Sequence, residues 1–471
     1  MISINSIYIN GAFTAPHGTA TFDLISPIDN TLQGTLTLGD EEDVNRAVAA
    51  AKAAFQTFSK TTVEQRIGYL QKMYDAVSRR ADELTNIMVQ EYGGSIRFCR
   101  NSTQNALNSI RTNIEVLQQF SFTRHAGKAI VHLEPVGVAG IITPWNASNS
   151  FICAKLSTAI AAGCTAVIKP SELSGRQTQL LLECLHEAGL PNGVFNVVNG
   201  LGNVVGAAIT AHKDIAKISF TGSTITGKTI ARGAVDTMKR ITLELGGKSP
   251  NILLEDADLE TAIPMAIQAA YMNSGQACIA GTRLLVPASR IEEVKQLLKE
   301  NMDIARVGNP AEEDTLIGPM VSQKQYERVQ QYIQLGIEEG AELWIGGPGK
   351  PEHLEAGNFV KPTVFVNVTN DMRIAREEIF GPVLSVISYS DEDEAIAIAN
   401  DTDYGLQAYV SSASDEHANR VATQIRAGRV LINGLKHDPM APFGGFKQSG
   451  IGREYGAYGL EAYLEPKAIL N

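Results

Sequence analysis

Cys278 sits in SGQACIAGTR, where glycine and small neighbours leave room around its sulfur. A thiol in an apolar run packs as a small hydrophobe, but a thiol with space about it can serve as a nucleophile. Glu244 lies in LELGGKSP and Asn146 in ITPWNAS, each just after an apolar, strand-like run. Singly, each has a plain reading: a packing cysteine, a strand-terminal carboxylate, an asparagine suited to a turn. Together the three residue types make one chemistry. A thiolate attacks a carbonyl carbon, an amide N–H donates to the developing oxyanion, and a carboxylate activates water for the release step. The thiol must be activated, because an unperturbed cysteine is only a few per cent thiolate at pH 7; helix N-termini or nearby cations are the expected means.

The elements that position these residues follow from hydrophobic periodicity. Residues 40–59 read as a helix with Asp40 as its cap, and the helical pattern continues from about 62 to 120. A stretch at 121–135, SFTRHAGKAIVHLEP, reads as extended pieces about a glycine. Short apolar strands then alternate with helices: VAGII (138–142), TAVIK (165–169), FNVV (195–198), KISF (217–220) and RITLEL (240–245), with helices expected near 153–162, 175–188, 203–212 and from 226. This is the pattern of parallel βαβ units, whose ligands bind beyond the carboxyl ends of the strands. A second alternating region runs from about 250 to 435, through ILLE, RLLV, FVKPTVF, LSVISY and RVLIN. The tail from about 455 is expected to be extended, and to pair with 121–135 or with a neighbouring subunit.

One motif points elsewhere. Gly222-Ser-Thr-Ile-Thr-Gly-Lys228-Thr229 matches the P-loop pattern in the required strand-to-helix setting, and NILLED (251–256) resembles an apolar strand ending in a magnesium-holding acid. A nucleoside triphosphatase is therefore an open alternative. The same glycine-rich turn also suits the pyrophosphate of a dinucleotide, since it offers free backbone N–H groups at a helix N-terminus.

Beyond these residues, the chain resembles the aldehyde dehydrogenase superfamily along nearly its whole length. The resemblance is carried by PWN (144–146), KPSE (169–172), FTGST (220–224), ELGGKSP (244–250), GQAC (275–278), EEIFGP (377–382), NDTDYGL (400–406) and PFGGFKQSG (442–450), in consistent order. It implies a Rossmann-like parallel-sheet cofactor domain (1–120 and 136–246), a second α/β catalytic domain (247–455) and a β-ribbon oligomerisation segment (121–135 and 456–471), with dimers or dimers of dimers. It implies Cys278 as nucleophile, Glu244 as general base, and Asn146 with the Cys278 backbone N–H as oxyanion hole. Lys155 would tune the electrostatics. Lys169 and Glu172 would hold the adenosine ribose, Ser223 the pyrophosphate and Glu378 the nicotinamide ribose, with Phe380 near the ring; Thr143, Trp145, Ser171, Gly222 and Gly246 would complete the cofactor site. A carboxylate at Glu172 repels a 2′-phosphate, so NAD is expected over NADP. A relative that passes its acyl group to coenzyme A tends to lack the general base, and Glu244 argues against that variant. Retention of Cys278, Glu244 and Asn146 likewise argues against a non-catalytic structural relative.

The residues about the substrate depart from many relatives. Ala147-Ser148-Asn149-Ser150 follows PWN, and Lys436 and His437 precede PFGG. A small or polar aldehyde, such as a semialdehyde with an anionic group, is expected.

Composition removes other classes. The 471 residues carry a net charge of −11 with no Lys/Arg block, which suits no nucleic-acid backbone. The five cysteines form no CxxC pair and the eight histidines no ligand spacing, so neither disulfides nor a metal site is expected. Without a basic-then-apolar leader or an apolar run of about 18 residues, a cytoplasmic protein with no membrane segment is expected.

Overall fold

Strand Val138–Ile142 is buried along its length because helices cover both of its faces. Ala139 and Ile141 enter one apolar core, with helices Val63–Arg79, Ile96–Gln119, Ser148–Ala162 and Gly175–Glu187. Val138 and Ile142 enter the opposite core, with helices Glu41–Phe58 and Thr224–Val235. The period-two alternation thus feeds two cores, as a doubly covered parallel strand requires.

The computed structural model describes residues 1–470. Its first sheet has the parallel order Arg240–Glu244, Lys217–Thr221, Val138–Ile142, Thr165–Lys169, Phe195–Val197. Val138–Ile142 is flanked by Thr165–Lys169, which follows it directly, and by Lys217–Thr221, two strands later. The winding reverses there, making this the switch point at which such sheets open a ligand crevice. The second sheet runs Glu342–Ile345, Thr363–Val366, Val383–Tyr389, Arg283–Pro287, Pro250–Leu253, Gln407–Ser411, Arg429–Ile432, parallel except for its first strand. A mixed α/β architecture with parallel sheets is the class expected from the sequence.

Four features depart from the sequence reading. The helix after PWN begins at Ser148, not near 153, because Ser148 and Asn149 are buried in its first turn instead of forming a loop. Gly450–Ile451, assigned to the catalytic stretch, pairs antiparallel with Leu243–Glu244 of the cofactor sheet. That pairing depends on glycine: a Cβ at Gly450 would lie 2.2 Å from the Leu243 carbonyl oxygen. The tail is not wholly extended, since Gly456–Glu461 is helical and buries Leu460 in the first core before strand Leu464–Ile469. Finally, the N-terminal strands went unread; Ile7–Ile9 and Ala12–Thr14 extend the first sheet, and Ile2–Ile4, Thr21–Ile25 and Leu32–Thr37 form a separate one.

The expected pairing of the two outlying segments is present. Thr123–Ala126 and Ala129–Pro135 form a hairpin, and Leu464–Ile469 pairs along its other edge, from Leu464 opposite Pro135 to Ile469 opposite Ile130. Residue 471 of the expected tail lies outside the described residues. Among the described residues no helix is long and apolar enough to cross a membrane.

Candidate active site

Glycines bring the three chemical motifs into contact. A Cβ at Gly275 would lie 2.2 Å from the Gly381 carbonyl oxygen, and one at Gly247 would lie 2.4 Å from that of Cys278. The nucleophile loop is therefore packed against both the EIFGP loop and the double-glycine strand end. Asn273, Ser274 and Gly275 have φ of 51°, 58° and 71° in succession. Left-handed backbone costs a residue other than glycine about 1–2 kcal/mol, so this turn needs outside support. Tyr92 Oη donates to Asn273 Oδ1 at 2.8 Å, the Gly318 N–H to Ser274 Oγ at 2.9 Å, and the Val321 N–H to Gln276 Oε1 at 3.0 Å. Asn273, Ser274 and Gln276, ahead of Cys278, are thus each held from outside the turn.

Cys278 and Asn146 line one cavity of about 250 Å³, with Asn105, Asn108, Phe151, Arg429, His437 and Phe443 also on its wall. Asn146 is 7 % exposed and donates one amide hydrogen to the Gln276 carbonyl at 3.0 Å, leaving the other free. The thiol is not activated in the way the sequence suggested. Burial pushes it up, and Glu378 and then Glu244 add to this, while the N–H groups of Cys278 and Ile279 act the other way. The charges facing it are carboxylates rather than cations. Cys99, Cys153, Cys164 and Cys184 are buried, as packing residues should be.

Glu244 closes its strand with only 2 % of its surface exposed, and neither carboxylate oxygen has a hydrogen-bond partner. Burial raises its pKa well above the carboxylate range; Glu454 raises it further, whereas Lys155, Arg453 and Arg429 oppose. Such a carboxyl is poised to exchange a proton. The clamp around it comes from the QSG motif: Ser449 Oγ donates to the Gly246 carbonyl at 2.7 Å, and the Leu245 N–H to the Ser449 carbonyl at 2.9 Å. Lys155 is buried, ion-paired with Glu454, and donates to Ser219 Oγ at 3.0 Å. Glu454 was missed by sequence reasoning; it lies in a polar GREYG run with no periodicity to single it out.

The expected cofactor residues gather at the carboxyl ends of the strands about the switch point. The Thr143 N–H donates to the Lys169 carbonyl at 3.1 Å, and Lys169 Nζ meets Glu172 Oε2 at 3.0 Å. Ser171 Oγ accepts from the Leu173 N–H at 3.3 Å, so it caps the turn that presents Glu172. The Gly222 N–H donates to the Glu244 carbonyl at 3.0 Å, and Ser223 caps helix Thr224–Val235 through the Thr226 N–H at 3.3 Å. From the second domain, Glu378 Oε1 accepts the Gly247 N–H at 3.1 Å, beside Gly246, and burial pushes it up to about 7. Phe380 holds φ of 63° and meets Trp145 edge-on, with ring centroids 5.5 Å apart. Gln325 Nε2 fixes that strained residue by donating to its carbonyl at 2.8 Å. The buried hydroxyls of Thr143 and Thr221, both at strand ends flanking the crevice, have no partner. Unpaired hydroxyls, a helix N-terminus and a Lys–Glu pair suit a ligand with phosphates and ribose hydroxyls.

The P-loop reading is not favoured. Lys228 Nζ donates to Gln448 Oε1 at 2.7 Å, and strand Pro250–Leu253, which precedes the supposed magnesium acid, belongs to the other sheet. Of the expected substrate residues, Ala147, Ser150 and His437 line the cavity, whereas Ser148, Asn149 and Lys436 do not; Arg429, read as part of a strand, does.

Known proteins share this chain's sequence and fold. The sequence pattern of the aldehyde dehydrogenase family matches residues 13–469. The chain is 45% identical over 473 residues to a 3-succinoylsemialdehyde-pyridine dehydrogenase of a Pseudomonas species, spanning 100% of this chain and 99% of that one. Its backbone follows a cysteine-to-alanine variant of aldehyde dehydrogenase C from Pseudomonas syringae, complexed with NAD+ and octanal, at a TM-score of 0.97 and 46% identity, covering 99% of this chain and 96% of that one. An aldehyde dehydrogenase of Mycobacterium tuberculosis complexed with NAD+ gives a TM-score of 0.96 at 38% identity, covering 100% and 98%. With the Cys278 loop and the PWN turn meeting at one cavity, and with relatives this similar end to end, the chain belongs to the aldehyde dehydrogenase family.

Proposed function

We propose that the protein oxidises a small or polar aldehyde to its carboxylic acid with NAD, through a thioester on Cys278 that water hydrolyses. The observation that carries this reading is the meeting of Cys278 and Asn146 on one cavity with a buried, unpartnered Glu244 behind them. Cys278, which keeps exposed surface, yields its proton to solvent; the thiolate Sγ then bonds to the carbonyl carbon, and the carbonyl oxygen takes the negative charge. The free amide hydrogen of Asn146 and the Cys278 N–H stabilise that oxyanion; one such donor is typically worth about 10²–10³ in kcat. NAD bound in the crevice supplies a hydride acceptor. Thr143, Lys169, Glu172, Ser223 and Glu378 would hold it, and Trp145 and Phe380 wall the nicotinamide end. Glu244 then takes a proton from water, the water oxygen attacks the acyl carbon, and the Cys278 thiolate leaves. Lys155 and Glu454 oppose one another beside Glu244 and set its charge balance. Lys169 already engages Glu172, and this carboxylate disfavours a 2′-phosphate, which supports NAD over NADP. The paired extended segments at 121–135 and 464–469 suit assembly into dimers or dimers of dimers.

The test is NADH formation from a panel of aldehydes without coenzyme A, beside Cys278→Ala. The wild type should release acid and NADH; the variant should release neither while still binding NAD. A requirement for coenzyme A, or turnover by Cys278→Ala, would overturn the mechanism.

A further inference from the structure

Arg429 is a cation that makes no ion pair at the substrate cavity. It is half-buried, it lines the cavity that holds Cys278, and among the described residues no carboxylate oxygen lies within ion-pair distance of it. Its Nε is buried with no partner. Two contacts hold the guanidinium in place without neutralising it. The Phe443 ring centroid lies 5.0 Å from Cζ, and Nη1 donates to His437 Nδ1 at 2.6 Å. Burial and then Arg429 itself push His437 down to about 4, so at neutral pH this ring is an uncharged acceptor. Asp438, on the same wall, and Glu244 act on the guanidinium only through space; Asp438 Oδ1 accepts the Met440 N–H at 2.8 Å and the carboxylate makes no ion pair. Apart from Asp438, the polar lining is neutral, with Asn105, Asn108, Ser109, Ser150 and Tyr455 among it.

A desolvated guanidinium with spare donors, held in place but unpaired, is an incomplete interaction. Its planar fork matches a carboxylate, which takes two parallel N–H donations. Resting on the proposed function, we propose that Arg429 is the specificity residue of this cavity and selects aldehydes that carry a carboxylate at the far end from the reacting carbonyl. His437 and Phe443 act as positioning residues that aim the guanidinium. No bond is made or broken at Arg429; it binds the remote anion and so places the aldehyde carbon at Cys278. The cation the sequence suggested, Lys436, is replaced in this role by one further back along the chain.

The experiment compares kcat/KM for an ω-carboxy aldehyde with that for a methyl-ended aldehyde of equal chain length, in wild type, Arg429→Met and Arg429→Lys. Charge-assisted bidentate hydrogen bonding makes the expected wild-type preference about 10²-fold. Arg429→Met should bring the ratio close to unity, and Arg429→Lys should keep part of the preference. In parallel, calorimetry follows binding of the matching dicarboxylate, the reaction product, to the same three proteins; its Kd should weaken by about 10²-fold in Arg429→Met. A wild-type preference for the methyl-ended aldehyde would overturn the proposal. So would equal loss of both substrates in Arg429→Met, which marks a structural role, or unchanged dicarboxylate binding. If no aldehyde is oxidised at all, the proposed function fails instead, and the calorimetric arm still decides the role of Arg429.

Discussion

Replacing Glu244 with glutamine keeps the side chain's shape and removes only its capacity to take a proton. Neither oxygen has a hydrogen-bond partner, so the amide breaks no bond that the carboxylate made. General-base catalysis is typically worth about 10²–10⁴-fold, so steady-state turnover in Glu244→Gln should fall by that much, or about 3–5 kcal/mol of barrier. Attack by Cys278 and hydride loss precede the step at which Glu244 acts. Rapid mixing should therefore still show one NADH per active site, followed by a stall, and mass spectrometry of the stalled enzyme should find the acyl group on Cys278. Two pH signatures separate this from general damage. Because burial raises the Glu244 pKa, wild-type deacylation should climb as pH rises through that raised value and fail below it, whereas the variant should lack this limb. A carboxyl with a raised folded-state pKa loses stability as pH rises from the unfolded value through the folded one. Glutamine cannot ionise, so the variant's Tm should gain on the wild type's over the same range. Steady turnover near the wild-type rate, or loss of the burst together with the steady state, would refute the assignment.

Gly275→Ala places a Cβ 2.2 Å from the Gly381 carbonyl at a φ of 71°, so it should cost more than about 2 kcal/mol in denaturant unfolding and lower kcat at least tenfold; a silent variant would show that the two loops are not locked together. Lys155→Met strands Glu454 in its buried surroundings and should cost about 3–5 kcal/mol, most of it recovered by adding Glu454→Leu; equal midpoints for the single variant and the wild type would deny the pair a structural share. Glu172→Gln removes the partner of Lys169 and a repeller of 2′-phosphate, so fluorescence titration should show NAD binding weakened about tenfold and the gap to NADP narrowed, and an unchanged gap would move selectivity elsewhere. Among the cysteines only Cys278 keeps exposed surface, so iodoacetamide should report on it alone, at pH 7 more than about tenfold slower than a free thiol and faster in Glu378→Gln; a rate equal to the free thiol would mean that burial and Glu378 do not restrain it.

What the sequence made legible follows the range of the forces involved. TAVIK matches Thr165–Lys169 because a strand buried on both faces needs an unbroken apolar run, and that need is local. The two parallel sheets follow from such runs alternating with helices. Three-residue strands such as Ile2–Ile4 carry no countable alternation, and the helix at Gly456–Glu461 exists because Leu460 finds a core built from distant residues. The site divides the same way. Cys278 and Glu244 stand in motifs rigid enough to read, since Gly275 and Gly247 must admit a neighbouring backbone, and Asn146 follows a strand that reads as an unbroken apolar run. Arg429 and Glu454 act through what the fold sets beside them, a cavity in one case and Lys155 in the other, and neither neighbour is close in sequence. RVLIN announces a strand, and a strand's first residue is ordinarily free to be charged. Only the packing shows that this charge turns inward without an ion pair. The thiol repeats the point: its sequence neighbours are small and neutral, whereas burial, and then Glu378 and Glu244 from two other motifs, push it up. The composition of a site is thus written locally, and its electrostatics are decided by the fold.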